Sequence, residues 1–136
     1  MRAAAAGTGV EIRMVPAMYP MGWDKQMIQA LLGREVPAEG RSADIGVLVH
    51  NVATAWAVQQ TICLGHPLVS RIVTVSGGAV AQPCNLEVPI GTPVQALFDA
   101  CGGFASTPAR LVLGGPMMGH QLTHTSVPVV KGSSGV

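Results

Sequence analysis

Residues 109–119 run ARLVLGGPMMG. Leu111, Val112 and Leu113 form an unbroken apolar run, which predicts a strand over residues 110–113. Gly114, Gly115 and Pro116 stop it, because glycine weakens either regular structure and proline removes a backbone donor. The fold class depends on what the turn does. A glycine turn after a strand can offer backbone N–H groups to a phosphate. It can equally be a corner of a small sheet, with Met117 and Met118 filling the core beneath. Phosphate loops call for a lysine and a hydroxyl, or for spaced glycines that open a helix. Neither follows here, which favours the sheet corner.

The neighbouring segments agree with a sheet. Residues 71–76, RIVTVS, and 85–90, NLEVPI, alternate apolar and polar side chains as half-buried strands do, with Gly77-Gly78 as a turn after the first. Thr92 and Pro93 predict an N-cap and first helical residue for a helix over 94–101. That helix would bury Val94, Leu97, Phe98 and Cys101 and end at Gly102-Gly103. A last short strand is expected at 127–130. Arg71 and Arg110 each open a strand and are expected at solvated edges. One helix on a small mixed sheet is an α+β arrangement, and a β-grasp is the compact fold that fits it.

Before Pro67 the pattern differs. Residues 10–15 predict a strand stopped by Pro16 and Pro20. A helix over 23–32 would bury Trp23, Met27, Ala30 and Leu31, with Asp24 in its first turn and Gly33 as its stop. Residues 45–49 predict a buried strand. Asn51 caps a helix over 52–64, whose expected buried face is Val52, Ala55, Trp56, Gln59, Ile62 and Cys63. Strand, helix, strand, helix is the tail of an α/β unit with a mostly parallel sheet. The two halves are expected to join near residues 65–69, giving domains 1–66 and 67–136.

Composition narrows the function classes. Charged residues are 11% and apolar residues 49% of the 136, so apolar surface is left over for a partner, a missing domain or self-association. Net charge is +1 without a basic stripe, and aromatics are 4%, which argues against nucleic acid. The most apolar stretch, 45–62, is broken by His50, Asn51, Gln59 and Gln60, so no membrane span is expected. Cys63, Cys84 and Cys101 are odd in number and widely spaced, predicting three reduced thiols rather than a disulfide framework or a metal knuckle. His120 and His124 lie in a Gly- and Thr-rich loop without a third ligand nearby, so no metal site is assigned. Lys131 in a turn is expected to be solvated, and Cys63 to be buried on its helix. No catalytic residue is assigned. The Ala-rich start and the KGSSGV end suggest a segment of a longer protein.

Five ordered stretches, YPMGWDKQMIQALLGREVP, VLVHNVATAWAV, RIVTVSGGAV, LVLGGPMMG and VPVVKGSSGV, resemble the C-subunit of the Rnf-type (Rsx-type) ion-translocating electron transport complex. A more distant likeness is to the flavin- and NADH-binding subunit of respiratory complex I. The resemblance implies the end of a Rossmann-like FMN/NADH domain followed by a soluble-ligand-binding (SLBB-type) β-grasp domain. It implies a protein that passes electrons between NADH, FMN and 4Fe-4S clusters within a membrane-bound oxidoreductase, peripheral on the cytoplasmic face of the bacterial inner membrane. Its partners would be the other subunits of that complex. The flavin-phosphate loop and the cluster cysteines would lie outside this chain, so no cofactor is expected on the segment alone. Tyr19 and Gly22 match a Tyr-x-x-Gly that approaches the flavin. Asp24 stands where the family has glutamate, one methylene longer. Asn51 and Thr54 match an Asn-Val-x-Thr that contacts FMN, and His50 replaces an amide side chain. Helix capping alone also accounts for Asn51, the helix dipole for Asp24, and packing for Tyr19. A non-catalytic module that binds a small ligand or another subunit is the alternative.

Overall fold

A computed structural model describes residues 2–136, Arg2 by its backbone alone, and the chain divides into two compact units, 1–50 and 51–136. The architecture is α+β.

In the first unit, α1 spans Arg2–Ala5 and α2 spans Asp24–Leu32, with a 3-10 turn at Ser42–Ile45. Trp23 is the extended N-cap of α2, and Gly33 closes the helix in the left-handed region (φ 65°), its N–H bonded to the Gln29 carbonyl. Ile28 is the buried residue of α2, with Met27 and Leu31 half-buried beside it. Trp23 is 44% exposed and Ala30 is exposed, so the expected face is displaced. Trp23 precedes the first helical turn, and the helical period does not govern its direction. The loop after α2 is tied by side chains. Lys25 Nζ donates to the Pro37 and Ala38 carbonyls, both at 2.9 Å, and Arg34 donates to the Ile45 carbonyl.

The strands expected at 10–15 and 45–49 do not form, nor does the parallel sheet they implied. Exposure does alternate over 45–49, with Ile45, Val47 and Val49 half-buried and Leu48 exposed. A strand also needs a neighbour's hydrogen bonds, and among the described residues none supplies them.

The second unit opens with α3, Val52–Leu64, ending at Gly65 in the left-handed region (φ 69°). Its packed face is Ala53, Thr54, Ala57 and Gln60, opposite the one expected. Val52, Trp56 and Ile62 are 74%, 63% and 78% exposed, and Cys63 is exposed rather than buried. Apolar residues surround this helix, so their spacing selects no unique face, and the small Ala53 and Ala57 allow the closest approach. The Thr61 hydroxyl donates to the His66 carbonyl at 2.9 Å, fixing the exit of the helix.

Strands β1 (Ser70–Val75) and β2 (Cys84–Pro89) pair antiparallel, with Val75 opposite Cys84, each one residue earlier than expected. Val73 and Val75 point inward, as does Arg71, which is 9% exposed and not at a solvated edge. Arg110 is exposed, as expected. Helix α4 (Val94–Ala100) buries Val94, Leu97 and Phe98, and Cys101 follows them into the core with Val80, Val88 and Val129. Pro93 is the N-cap with extended backbone (ψ 140°), not the first helical residue. The N–H groups of Val94 and Gln95 are taken by the carbonyls of Val127 and Thr125, both at 2.9 Å. This explains why 127–130 is no strand: its backbone bonds go to the start of α4 and to residues 91 and 92.

Strands β3 (Val112–Leu113) and β4 (His120–Gln121) form a second antiparallel pair around the 114–119 turn. The chain end lies between the two pairs. Thr74 N–H donates to the Ser134 carbonyl and Val136 N–H to the Thr74 carbonyl, while Gly114 N–H donates to the Gly135 carbonyl. Met117 and Met118 are 75% and 65% exposed and do not fill the core. The turn's last glycine has a steric purpose. A Cβ on Gly119 would lie 2.5 Å from Val112 Cγ1 and 2.8 Å from the carbonyl oxygens of Gly115 and Leu113.

Candidate functional site

The flavin-type residues expected from the sequence occupy two stretches. Tyr19, Gly22 and Asp24 belong to the first unit. Tyr19 is 49% exposed and joined to Pro20 by a cis peptide bond. Gly22 has no positive φ, and a Cβ there would meet nothing within 4 Å. Neither its conformation nor its packing in this structure demands glycine. Asp24 opens α2, and its Oδ1 accepts the Lys25 N–H at 2.8 Å. A carboxylate there is favoured by the free N–H groups and dipole of the helix start. None of the three lines the cavity of about 440 Å3 bounded by Glu11, Ile12, Arg13, Leu31 and Leu32. Beside that cavity Arg13 Nε and Glu11 Oε1 form an exposed ion pair at 2.7 Å, which lowers the Glu11 pKa and raises that of Arg13.

The second stretch is His50, Asn51 and Thr54. His50 and Asn51 are exposed, and Thr54 is half-buried on the packed face of α3. Asn51 is a complete N-cap: its backbone is extended (φ −63°, ψ 140°) and its Oδ1 accepts the Ala53 N–H at 2.9 Å, while its carbonyl accepts the Ala55 N–H. Capping uses only Oδ1, so the Asn51 amide nitrogen keeps both donors for another acceptor. An amide cap at the start of a 13-residue helix thus satisfies its own helix and still presents donors to an anionic or carbonyl-bearing ligand.

Arg71 is a polar residue that the sequence pattern misplaced. Its Nε is buried and has no hydrogen-bond partner among the described residues. With Trp56, Leu68 and Glu87 it lines a cavity of about 280 Å3. An arginine at the first inward position of an alternating strand is indistinguishable in sequence from one at an edge. A larger cavity, about 380 Å3, lies in the second unit against Gly77, Gly78, Phe98, Phe104 and Arg110. Its volume is within the range of small-ligand sites. The Phe98 and Phe104 rings in its wall lie 4.6 Å apart between centroids, with their planes tilted by 43°. His124 Nδ1 and Ser126 Oγ share a hydrogen bond at 2.7 Å. Among the described residues, no helix is long and apolar enough to cross a membrane.

Comparisons with known proteins match two separate stretches of the chain, the first of which ends within α3. Residues 1–60 match the family model described as the Nuo51 FMN-binding domain, and residues 72–121 match the SLBB domain. The chain is 49% identical over 132 residues to the C-subunit of the ion-translocating oxidoreductase complex of Rhodobacter capsulatus, covering 97% of this chain and 25% of that protein. It is 43% identical over 136 residues to the C-subunit of the proton-translocating ferredoxin:NAD(+) oxidoreductase complex of Clostridium ljungdahlii, covering 100% of this chain and 30% of that one. Against the C-subunit of the Na(+)-translocating ferredoxin:NAD(+) oxidoreductase complex of Acetobacterium woodii it is 41% identical over 136 residues, covering 100% and 31%. The chain therefore spans between 25% and 31% of the length of these relatives.

Proposed function

The chain belongs to the C-subunit family of ion-translocating oxidoreductase complexes, and on that footing we propose that it supplies the second half of a flavin site together with the β-grasp domain that follows. In the intact protein FMN would accept hydride from NADH and release electrons singly to 4Fe-4S clusters held by other segments. This chain's own residues bind and orient. Asn51 would donate its amide hydrogens to the flavin while keeping its cap, Thr54 would add a hydroxyl one turn on, and His50 would replace an amide beside them. Tyr19 and Gly22 would form the approach, Gly22 leaving room for the ligand, and Asp24 would hold a ribose hydroxyl or the nicotinamide amide. We set the boundary between the flavin-type and β-grasp domains at residues 66 and 67; the gap between the two matched regions, which end at 60 and begin at 72, supports this reading. The partners are the other subunits of the complex, and the location is peripheral, on the cytoplasmic face of the inner membrane.

One observation carries this reading: the Nuo51 FMN-binding match over residues 1–60 ends within α3, whose exposed amide cap keeps two donors free. Titration of the 136-residue chain with FMN, followed by flavin fluorescence, tests the division of labour. No micromolar binding is expected, because the phosphate-holding loop belongs to another segment. Tight binding by the chain alone would overturn that division. In the full-length protein, Thr54→Val is expected to lower FMN content, and unchanged content in a folded variant would remove Thr54 from the site.

A second reading rests on the cavity of about 380 Å3 in the second unit, where the Gly77-Gly78 backbone, Arg110 and two aromatic rings converge. There the β-grasp domain would hold a small ligand of its own. A panel of small anionic aromatic compounds, followed by NMR shifts, would place the changes on these residues. Changes confined to α3 would refute it.

A further inference from the structure

Cys84 and Cys101 are brought together by tertiary structure. Their Sγ atoms are 3.4 Å apart, although the residues are 17 apart in sequence. Cys84 opens β2 on the face shared with Leu86 and Val88, and it is exposed. Cys101 follows the last residue of α4 and is 0% exposed. The backbone holds them in place: Gln82 N–H donates to the Cys101 carbonyl at 2.9 Å, and Ala81 N–H donates to the Gly103 carbonyl at 3.0 Å. Both cysteines sit at the ends of their elements, where small shifts disturb the fewest bonds. Gly102 and Gly103 next to Cys101 add local freedom, with φ of 78° and 76°.

We infer that Cys84 and Cys101 form a dithiol site that reacts with small-molecule disulfides and closes into an internal disulfide clamping the start of β2 to the end of α4. Cys84, as thiolate, attacks one sulfur of the small disulfide. A bond forms between Cys84 and that sulfur, the disulfide's own S–S bond breaks, and the leaving thiolate takes up a proton. Cys101 then loses its proton to solvent and attacks Cys84 Sγ. The internal S–S bond forms and the second small thiol leaves. Two protein thiols are oxidised and one small disulfide is reduced to two thiols. The division of roles follows exposure, since only the outer sulfur can be reached first. Burial, and the hydrogen bond with Cys84, raise the Cys101 pKa. Cys101 is therefore a poor first nucleophile, and proximity is what makes it the resolving one.

The test uses the whole chain with oxidised glutathione as probe, followed by alkylation and mass spectrometry without reduction. The expected product has lost two hydrogens, is alkylated at Cys63 alone, and yields a linked peptide pair containing Cys84 and Cys101. Cys63→Ser is expected to give the same link. Cys84→Ser is expected to leave Cys101 reduced. The oxidised chain is expected to melt higher by roughly 10 °C, as closing a loop of this size restricts the unfolded chain. A persistent glutathione adduct on Cys84, a link through Cys63, or an oxidised chain that melts no higher than the reduced one would overturn the proposal.

Discussion

Gly119→Ala probes why the 114–119 turn is glycine-rich. Gly119 has no positive φ, so alanine meets no conformational penalty there and the substitution isolates the steric effect. The added methyl would sit 2.5 Å from Val112 Cγ1 and 2.8 Å from two backbone carbonyl oxygens. The Val112 side chain can rotate; the Gly115 and Leu113 carbonyls move only with the turn and with β3. The Gly119 N–H bond to the Gly115 carbonyl, at 2.6 Å, would lengthen as well. Overpacking costs about 1–3 kcal/mol, and two immovable contacts place this case near 3 kcal/mol. With a urea m-value of roughly 1.5 kcal/mol/M, the midpoint of the second unit's transition would fall by about 2 M. Gly132→Ala is the control, because Gly132 has no positive φ and a Cβ there meets nothing within 4 Å. Urea unfolding followed by far-UV circular dichroism compares the three proteins. Gly132→Ala is expected to stay within about 0.5 kcal/mol of the parent. Should Gly119→Ala unfold at the same midpoint as Gly132→Ala, the close backbone approach is not the reason for the glycine.

Asn51→Ala removes the cap and is expected to cost about 1 kcal/mol, whereas Asn51→Asp keeps the acceptor and most of that stability. In the full-length protein both are expected to lose FMN, because both lack the amide donors; an Asn51→Asp protein with full flavin content would confine Asn51 to capping. Phe98→Ala empties the centre of the second unit, where Phe98 is 1% exposed, and is expected to cost about 3–5 kcal/mol by thermal or urea unfolding. A cost below about 1 kcal/mol would mean that the core there is not close-packed. Burial raises the Cys101 pKa above its ordinary 9.0, so the folded state keeps a proton that the unfolded state gives up. The associated stability is present below pH 9 and lost as pH rises through the higher folded value. Urea midpoints on either side of that value should fall less steeply for Cys101→Ala than for the parent, and parallel slopes would contradict the burial effect.

The helices were legible because their ends are local chemistry. Asn51 and Gly65 bound α3, and Gly33 ends α2, through hydrogen bonds and a left-handed residue that involve only neighbours in sequence. The core of the second unit was legible for a related reason: Val94, Leu97, Phe98 and Cys101 recur at helical spacing, and the alternation along β1 is unbroken. The facing thiols were not legible, since Cys84 and Cys101 are joined only once β2 and α4 pack.

Residue order and composition were enough to specify the Asn51 cap, the Gly33 and Gly65 stops, the α+β class and the relatives this chain resembles. Packing specified the rest. It turned Ala53, Ala57 and Gln60 inward on α3, where apolar side chains on every side made the periodicity ambiguous. It buried Arg71, exposed Met117 and Met118, and directed the backbone of residues 125–129 to the start of α4 and to residues 91 and 92 instead of to a sheet. It left residues 10–15 and 45–49 without a ladder. A strand is a relation between two segments and a buried face is a relation between two surfaces, so neither can be read from one segment alone.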